Sequence, residues 1–375
     1  MTRSIAVVGA GAVGATAAFD LALRDAEVTL YERDEVAGGS TGRAAGVCYD
    51  AFAEDVDAEI AGDAVERFRT FDGHGEFEFH ECPYVWLARE GDERRAEAIR
   101  EGVPRMQDND RTVLLLEPDL LANRFPAVAH EDVAVAAVAG AAGYTDPGDY
   151  ARLLAVMAKR KGAELRTDAA VSVQTDPPRV DGEPYDAVLV AAGAHTKSVL
   201  ADAGLSIAMK PYRVQALTND ANYDGPMVYD ATGGFYLRPH ADGLLAGDGT
   251  ETVEADPDDY DRTADADFET DLPHSAAERV DATGDLVDSW AGLCTATPDR
   301  DPLVGELADG VYVATGFQGH GFMRAPAFGE RLALEMLDAD DEHDRTWVEA
   351  FDPTRFDGDE EFEIVEGMLP EERVD

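Results

Sequence analysis

Short apolar runs that end at glycine recur along this chain, each followed by a stretch of helical period. Ile5 to Val8 reads as a buried strand running into Gly9-Ala10-Gly11-Ala12-Val13-Gly14. An alanine-rich helix follows, then a second strand, Val28 to Tyr31, and then Glu32. Together these form a βαβ unit of the kind that holds the ADP half of a dinucleotide. Gly9 permits the tight turn, Gly11 lets the backbone approach a pyrophosphate, and Gly14 lets helix and strand pack closely. The helix N-terminus offers unpaired N–H groups and a positive dipole end to phosphate. Glu32, eighteen residues past Gly14, stands where a carboxylate accepts ribose hydroxyls, and Arg33 is counted with it.

The same rhythm returns twice. Tyr185 to Gly193 is a buried strand ending at a glycine turn, with Ala192 and Gly193 at its tip. Gly310 to Gly316 is another, followed by a helix from about Ala325 to Leu337. Between them the pattern changes. Glu76 to Phe79 and Tyr84 to Ala88 are strand-like, and Glu93 to Arg100 is helical. Pro147 and Asp149 open an amphipathic helix with Leu153, Leu154 and Met157 on one face, and Ala163 to Val173 is strand-like. Residues 205–290 are strand-rich and carry an acidic polar insert, Glu251 to Asp271, expected to be a solvated loop with a helical piece. Asp338 to Asp375 is acidic and expected to pack loosely. The nucleotide lobe is therefore discontinuous, with a mostly antiparallel lobe interleaved.

Charge alters the picture. The net charge is −47, and only four lysines occur, Lys159, Lys161, Lys197 and Lys210. The acids are spread along the chain, so the surface repels itself unless salt screens it. That composition is expected of a protein from a salt-accumulating halophile. Nucleic-acid binding is disfavoured, because no basic stripe exists to neutralise phosphates. Cys48, Cys82 and Cys294 include no CxxC pair, which argues against a zinc site or a disulfide framework. The fingerprint begins at residue 4, leaving no room for a secretory leader, and the longest uncharged apolar run, Val133 to Ala142, is too short to span a bilayer. The expectation is a soluble cytoplasmic protein.

Taken in order, GAGAVG with Glu32, the loop GSTGRAAG, and the segments GYTDPGDYARLL, YDAVLVAAGA and GFYLRPHADGLLAG build a resemblance, completed by WAGLCTATPDRDPLVG and DGVYVATGFQGHGFMRAPAFGE. They resemble the D-amino-acid oxidase superfamily, in particular its glycine oxidase and sarcosine oxidase/dehydrogenase branch. The resemblance covers nearly the whole chain except the last thirty-odd residues. It implies FAD rather than NAD, in an α/β architecture: a discontinuous Rossmann-like FAD-binding domain (residues 1–75, 143–204 and 291–340) and an antiparallel-sheet α+β substrate domain (76–142 and 205–290), with 341–375 as an acidic C-terminal extension. Besides the fingerprint residues, the implied cofactor contacts are Ser40, Thr41, Arg43, Ala44, Ala45 and Gly46 in the early loop, Val171, and Gly292, Gly316, Gly319, His320, Gly321, Phe322 and Met323. Some relatives attach flavin covalently to a cysteine six residues before the "PD" proline; Gly292 stands there, so the FAD is expected to be non-covalent.

In the family the GHG turn lies by the flavin ring. A helix starting there stabilises the negative charge that builds on reduction. An ordinary strand-to-helix turn is the alternative for Gly319 and Gly321, and a structural or flavin-edge role is the alternative to catalysis for His320. Family substrates carry a carboxylate beside an amine or hydroxyl, and the site must bind that carboxylate, orient the carbon and exclude water. Here the chain departs from its relatives. Cys294 replaces the arginine after "WAGL", Met323 the lysine after the GHGF turn, and Cys48 an arginine of the early loop. Neither thiol nor thioether replaces a bidentate guanidinium. Replacement cations are Arg238 and Arg324 first, then Arg43 and Arg213, and Tyr236 matches a family tyrosine that faces substrate. The leading expectation is oxidation of the C–N bond of a small amino acid or N-methylated amine, glycine-, sarcosine- or D-amino-acid-like and anionic, by hydride transfer to flavin N5, with oxygen or an electron carrier as acceptor. A 2-hydroxy acid dehydrogenase and a non-enzymatic flavin-binding assembly factor are the alternatives.

Overall fold

A computed structural model describes residues 2–248, 250–339 and 345–365. Two large sheets organise it. The first has Ser4–Val8 at its centre, flanked in parallel by Glu27–Tyr31 and Ala187–Val190. Glu164–Arg166 extends one side in parallel; Val311–Thr315 extends the other, with Leu303–Ala308 antiparallel at the edge. The central strands Ser4–Val8, Ala187–Val190 and Val311–Thr315 are mostly apolar because both faces are covered. On one face the helix Ala12–Leu23 lies between the helices Pro147–Arg160 and Gly321–Met336. Its small side chains allow close approach: a Cβ added at Gly329 would lie 2.5 Å from Thr16 Cβ. On the other face Val173, Val180, Leu200 and Met209 pack beneath Val188 and Val313.

The second sheet has eight strands, in the order Leu286–Ala296, Lys210–Asn219, Gly243–Asp248, Phe235–His240, Met227–Asp230, Tyr84–Arg89, Val133–Ala139, Val113–Leu116. All pairings are antiparallel except one seam, Met227–Asp230 beside Tyr84–Arg89, where the two interleaved segments meet. Asp230, fully buried at the end of that seam, takes Arg89 Nη2 at 2.8 Å and Arg279 Nε at 2.9 Å. Leu286–Ala296 pairs along its length with Lys210–Asn219, so the domain boundary expected at 291 runs through one strand.

Three expectations change. Glu76 to Phe79 is not a strand; only His80–Glu81 pairs, with Ala142–Tyr144. Phe77 and Phe79 alternate inward because both stack on Phe68 (ring centroids 6.2 and 5.9 Å), while Asp72 caps the turn through Phe79 N–H. The last long helix begins at Gly321, not Ala325, so Pro326 sits within it. The described part of the C-terminal extension packs firmly: Trp347 and Phe351 are buried, and Arg355 pairs with Asp299 at 2.8 Å. Residues 340–344 and 366–375 of that extension lie outside the described set.

Candidate active site

The turn after the first strand shows why glycine is needed at positions 9 and 14. Gly9 has φ +105°, and a Cβ there would lie 2.4 Å from the Ala191 carbonyl oxygen. A Cβ on Gly14 would lie 1.9 Å from the Gly9 oxygen. Glycine at both positions brings strand, helix and the Ala191 turn into contact. The helix Ala12–Leu23 then starts at Gly11 with no side chain capping that residue, and Ala12 N–H donates to Thr41 Oγ1 at 3.0 Å. Glu32 closes the unit. Its Oε2 accepts from Ala10 N–H at 2.8 Å and its Oε1 from Asp34 N–H at 3.1 Å, which fixes the carboxylate at the strand end.

These residues line a cavity of about 410 Å³. Gly9, Gly11, Ala12, Val13, Glu32, Arg33, Ser40, Thr41, Arg43, Ala44, Val171, Ala192, Gly193, Gly292, Gly319, Gly321 and Phe322 all face it. Gly11 and Gly319 thus share one cleft. The early loop is braced by Arg43, whose Nη1 donates to the Gly38 and Gly39 carbonyls at 2.7 and 3.1 Å. Ser40 Oγ donates to the Leu293 carbonyl at 2.6 Å and ties the loop to the second sheet. Thr295 Oγ1 accepts from Gly316 and Phe317 N–H at 3.1 and 3.3 Å. Gly316, Gln318 and Gly319 all have positive φ, and the turn they make delivers the helix Gly321–Met336 to the cavity with no side-chain cap at His320. Two helix N-termini whose own cap residues, Gly11 and His320, supply no side-chain acceptor therefore open on one cleft, and each favours negative charge there. The cradle fits FAD: Glu32 would take the ribose, the Gly11 helix start the diphosphate, and the Gly321 helix start the ring, whose reduction adds negative charge.

The other expected residues lie behind the wall. Gly14 packs on Gly9, and Gly46 (φ +71°) accepts from Thr145 N–H at 3.0 Å. Met323 is buried in the core. His320 is buried, with Nε2 3.2 Å from the Tyr49 phenol oxygen. Burial, aided by Arg324, pushes its pKa down to about 3, so the imidazole stays neutral at pH 7 and is a poor proton acceptor. Tyr236 stands on the same strand face as Arg238 and lies over Gly247, where a Cβ would come within 2.0 Å of its hydroxyl.

The candidate cations differ in their partners. Arg324 is buried in an ion pair with Asp57 and lies 5.6 Å from the Phe52 ring centroid. Arg213 is held by Glu251 and Asp265. Arg238, 5% exposed, donates Nε to the Ala45 carbonyl at 2.5 Å and Nη1 to the Pro239 carbonyl at 2.7 Å, and its guanidinium lies 4.8 Å from the Tyr144 ring centroid. It pairs with no carboxylate among the described residues. Burial pushes its pKa below the usual arginine value. Cys294 lines the cavity, and burial raises its thiol to about 11.

Sequence reasoning missed the contribution of the acidic insert: Pro257, Asp258, Tyr260 and Arg262 line the same cavity. Nothing in its composition separates a strap over a cleft from a solvated loop. Thr295 was missed as well, since only the folded turn shows what its hydroxyl splices.

Over residues 4–334 the chain matches the family DAO, described as FAD dependent oxidoreductase. The 4-methylaminobutanoate oxidase (formaldehyde-forming) of Paenarthrobacter nicotinovorans is 27% identical across 94% of this chain and 45% of its own length. Mitochondrial dimethylglycine dehydrogenase of Rattus norvegicus is 25% identical, across 93% and 44%. The chain thus spans about half the length of these curated relatives. The crystal structure of L-proline dehydrogenase from P. horikoshii is similar with a TM-score of 0.83 at 26% identity, covering 94% of this chain and 97% of that one. Glycine oxidase from Geobacillus kaustophilus shares the fold, with a TM-score of 0.81 at 23% identity over 95% and 100%. The residues of the cleft and the match across most of the chain agree: this chain belongs to the DAO family of FAD-dependent oxidoreductases.

Proposed function

We propose that this protein oxidises the C–N bond of a small amine or amino acid that carries a carboxylate, an N-methylated amino acid being the leading class. FAD, when bound, supplies the two-electron acceptor, and oxygen or an electron carrier takes the electrons onward. The carrying observation is Arg238, a buried guanidinium that donates to two carbonyls and makes no ion pair among the described residues, Asp146 acting on it only through space. A cation in that state is completed by an anion from outside. Its anchor, the Ala45 carbonyl, adjoins Ala44 of the cavity wall, and Tyr236 shares its strand face. The relatives' names point the same way, since methylaminobutanoate and dimethylglycine are both N-methyl amines bearing a carboxylate. Neutral His320 and the aromatic rings of Tyr49, Phe52 and Tyr84 would keep the pocket dry and position the substrate without taking its proton. A substrate amine that enters uncharged needs no strong base.

The test is anaerobic bleaching of the flavin by matched panels. N-methyl amino acids and simple amino acids should bleach it, and 2-hydroxy acids and amines without a carboxylate should not. Bleaching by hydroxy acids alone would replace this reading with C–OH oxidation, and an inert flavin would favour an assembly role. We also read the −47 surface as salt-adapted. The thermal midpoint should rise steadily from low to molar KCl, and a flat or falling profile would reject that.

A further inference from the structure

The acidic insert between the strand Gly243–Asp248 and the helix Ala266–Val280 crosses from one lobe to the other. Its root is bound to the second sheet. Glu251 N–H donates to the Arg213 carbonyl at 3.0 Å, Ala255 N–H to the Pro211 carbonyl at 2.8 Å, and Ala291 N–H to the Arg262 carbonyl at 2.9 Å. The buried Arg213 side chain also donates to the Asp261 carbonyl at 2.9 Å. Its tip is bound to the nucleotide lobe. Asp258 Oδ1 accepts from Arg33 Nη1 at 3.0 Å and lies 3.1 Å from His195 Nε2, and Glu254 takes Lys197 Nζ at 2.6 Å. Between root and tip, Tyr260 and Arg262 face the cavity, with the Arg262 guanidinium 5.6 Å from the Tyr260 ring centroid. Arg262 pairs with no carboxylate among the described residues, although acids outnumber bases 78 to 31 in this chain. Arg43, braced by carbonyls and paired with no carboxylate among the described residues, is a second such cation on the same wall. A chain so rich in carboxylates that leaves two cavity-lining guanidiniums without one has left them for an anion from outside.

We propose that residues 250–265 are a strap that completes the cofactor site from the second lobe, with Arg262 meeting the FAD diphosphate and Asp258 and Glu254 pinning the strap closed. The proposal rests on FAD occupying this cleft and not on the amine reading, so it stands or falls without any substrate.

The experiment follows FAD release from holoenzyme by the fluorescence of freed flavin after dilution. Arg262→Gln should speed release about tenfold, the loss of one charge-assisted contact. Asp258→Asn and Glu254→Lys should each speed it a few-fold, as for exposed ion pairs. Adding Lys197→Glu to Glu254→Lys should restore slow release, which a merely disordered strap would not do. With apoprotein, Arg262→Gln should weaken ADP binding and leave adenosine binding unchanged. The thermal midpoint of each apoprotein separates folding defects from retention, and Asp258→Asn, at an exposed carboxylate, keeps the test open if Arg262→Gln misfolds. Release within about twofold of the parent for both Arg262→Gln and Asp258→Asn would overturn the proposal. Equal loss of ADP and adenosine binding would overturn the diphosphate role of Arg262, and failure of the charge swap to restore retention would overturn the latch.

Discussion

At the proposed dinucleotide end of the cleft the available contacts come from the main chain: the Gly9 turn, the Gly11 helix start, and a Glu32 carboxylate held by two backbone N–H groups. On the proposed substrate side they come from side chains whose meaning depends on distant partners. Arg238 and Arg324 look alike in sequence and are both buried. One faces carbonyls and a tyrosine ring; the other is neutralised by Asp57, 267 positions away. Backbone chemistry is written locally, because a glycine's role follows from its neighbours. Side-chain chemistry is decided by what the fold carries to it.

The largest effects should come from breaking the backbone end. Gly14→Val would drive a side chain into the Gly9 carbonyl, and Gly9→Ala would force a Cβ against Ala191 at positive φ. Either should cost about 2–4 kcal/mol of stability and leave the purified protein nearly colourless. Flavin absorbance per mole of protein measures it. A yellow, fully stable Gly14→Val protein would show that the cofactor does not depend on this turn.

Next in size is the contrast between the two arginines. Arg324→Met leaves Asp57 buried without its cation and should cost about 3–5 kcal/mol in urea unfolding. Arg238→Met orphans two carbonyls but no charge, so stability should fall by less, about 1–2 kcal/mol. Its KM for anionic amines should instead rise about tenfold or more, with kcat less affected. Matching stability losses with unchanged KM would make Arg238 structural and erase the distinction.

The same contrast measures how much was legible. The βαβ unit, the two later strand-to-glycine turns and the two-lobe plan could be read because periodicity and glycine spacing are local signals; FAD rather than NAD followed only from the resemblance to a known family. The Phe77/Phe79 alternation imitated a strand, since two aromatics reaching one neighbour on Phe68 produce the same period of two. The acidic insert was read as solvated because most of its side chains are; that four of its residues line the cleft is set by anchors on Arg213, Arg33 and Lys197. The extension looked loose because its acids outnumber the few apolar residues, Trp347, Phe351 and Ile364, that bury it.

His320 supplies a pH test of intermediate size. Folded, it stays neutral down to about pH 3; unfolded, an imidazole takes a proton below about 6.5. Between those values the unfolded state binds one proton more, so stability rises with pH, by up to about 1.4 kcal/mol per unit. His320→Gln should flatten the acid limb of stability across that window by one proton, read from urea midpoints at pH 4, 5 and 7. An unchanged slope would mean that the imidazole charges within the folded protein, which would restore it as a proton acceptor.

The smallest effect is expected at Cys294, which lines the cleft where relatives are expected to carry an arginine. Burial raises its thiol to about 11, with the hydrogen-bonded Tyr212 hydroxyl pulling back only part of that rise. At pH 8 almost no thiolate exists, so the sulfur is neither a nucleophile nor a carboxylate partner. Cys294→Ser should keep kcat/KM within about twofold, and the holoenzyme should resist iodoacetamide at pH 8. Rapid labelling with loss of activity would relocate the working chemistry to this wall of the cleft. In that case Arg238 would be a spectator, and the side-chain end of the site would have been misjudged for the same reason it was hard to read: the partner that decides a residue's role lies far along the chain.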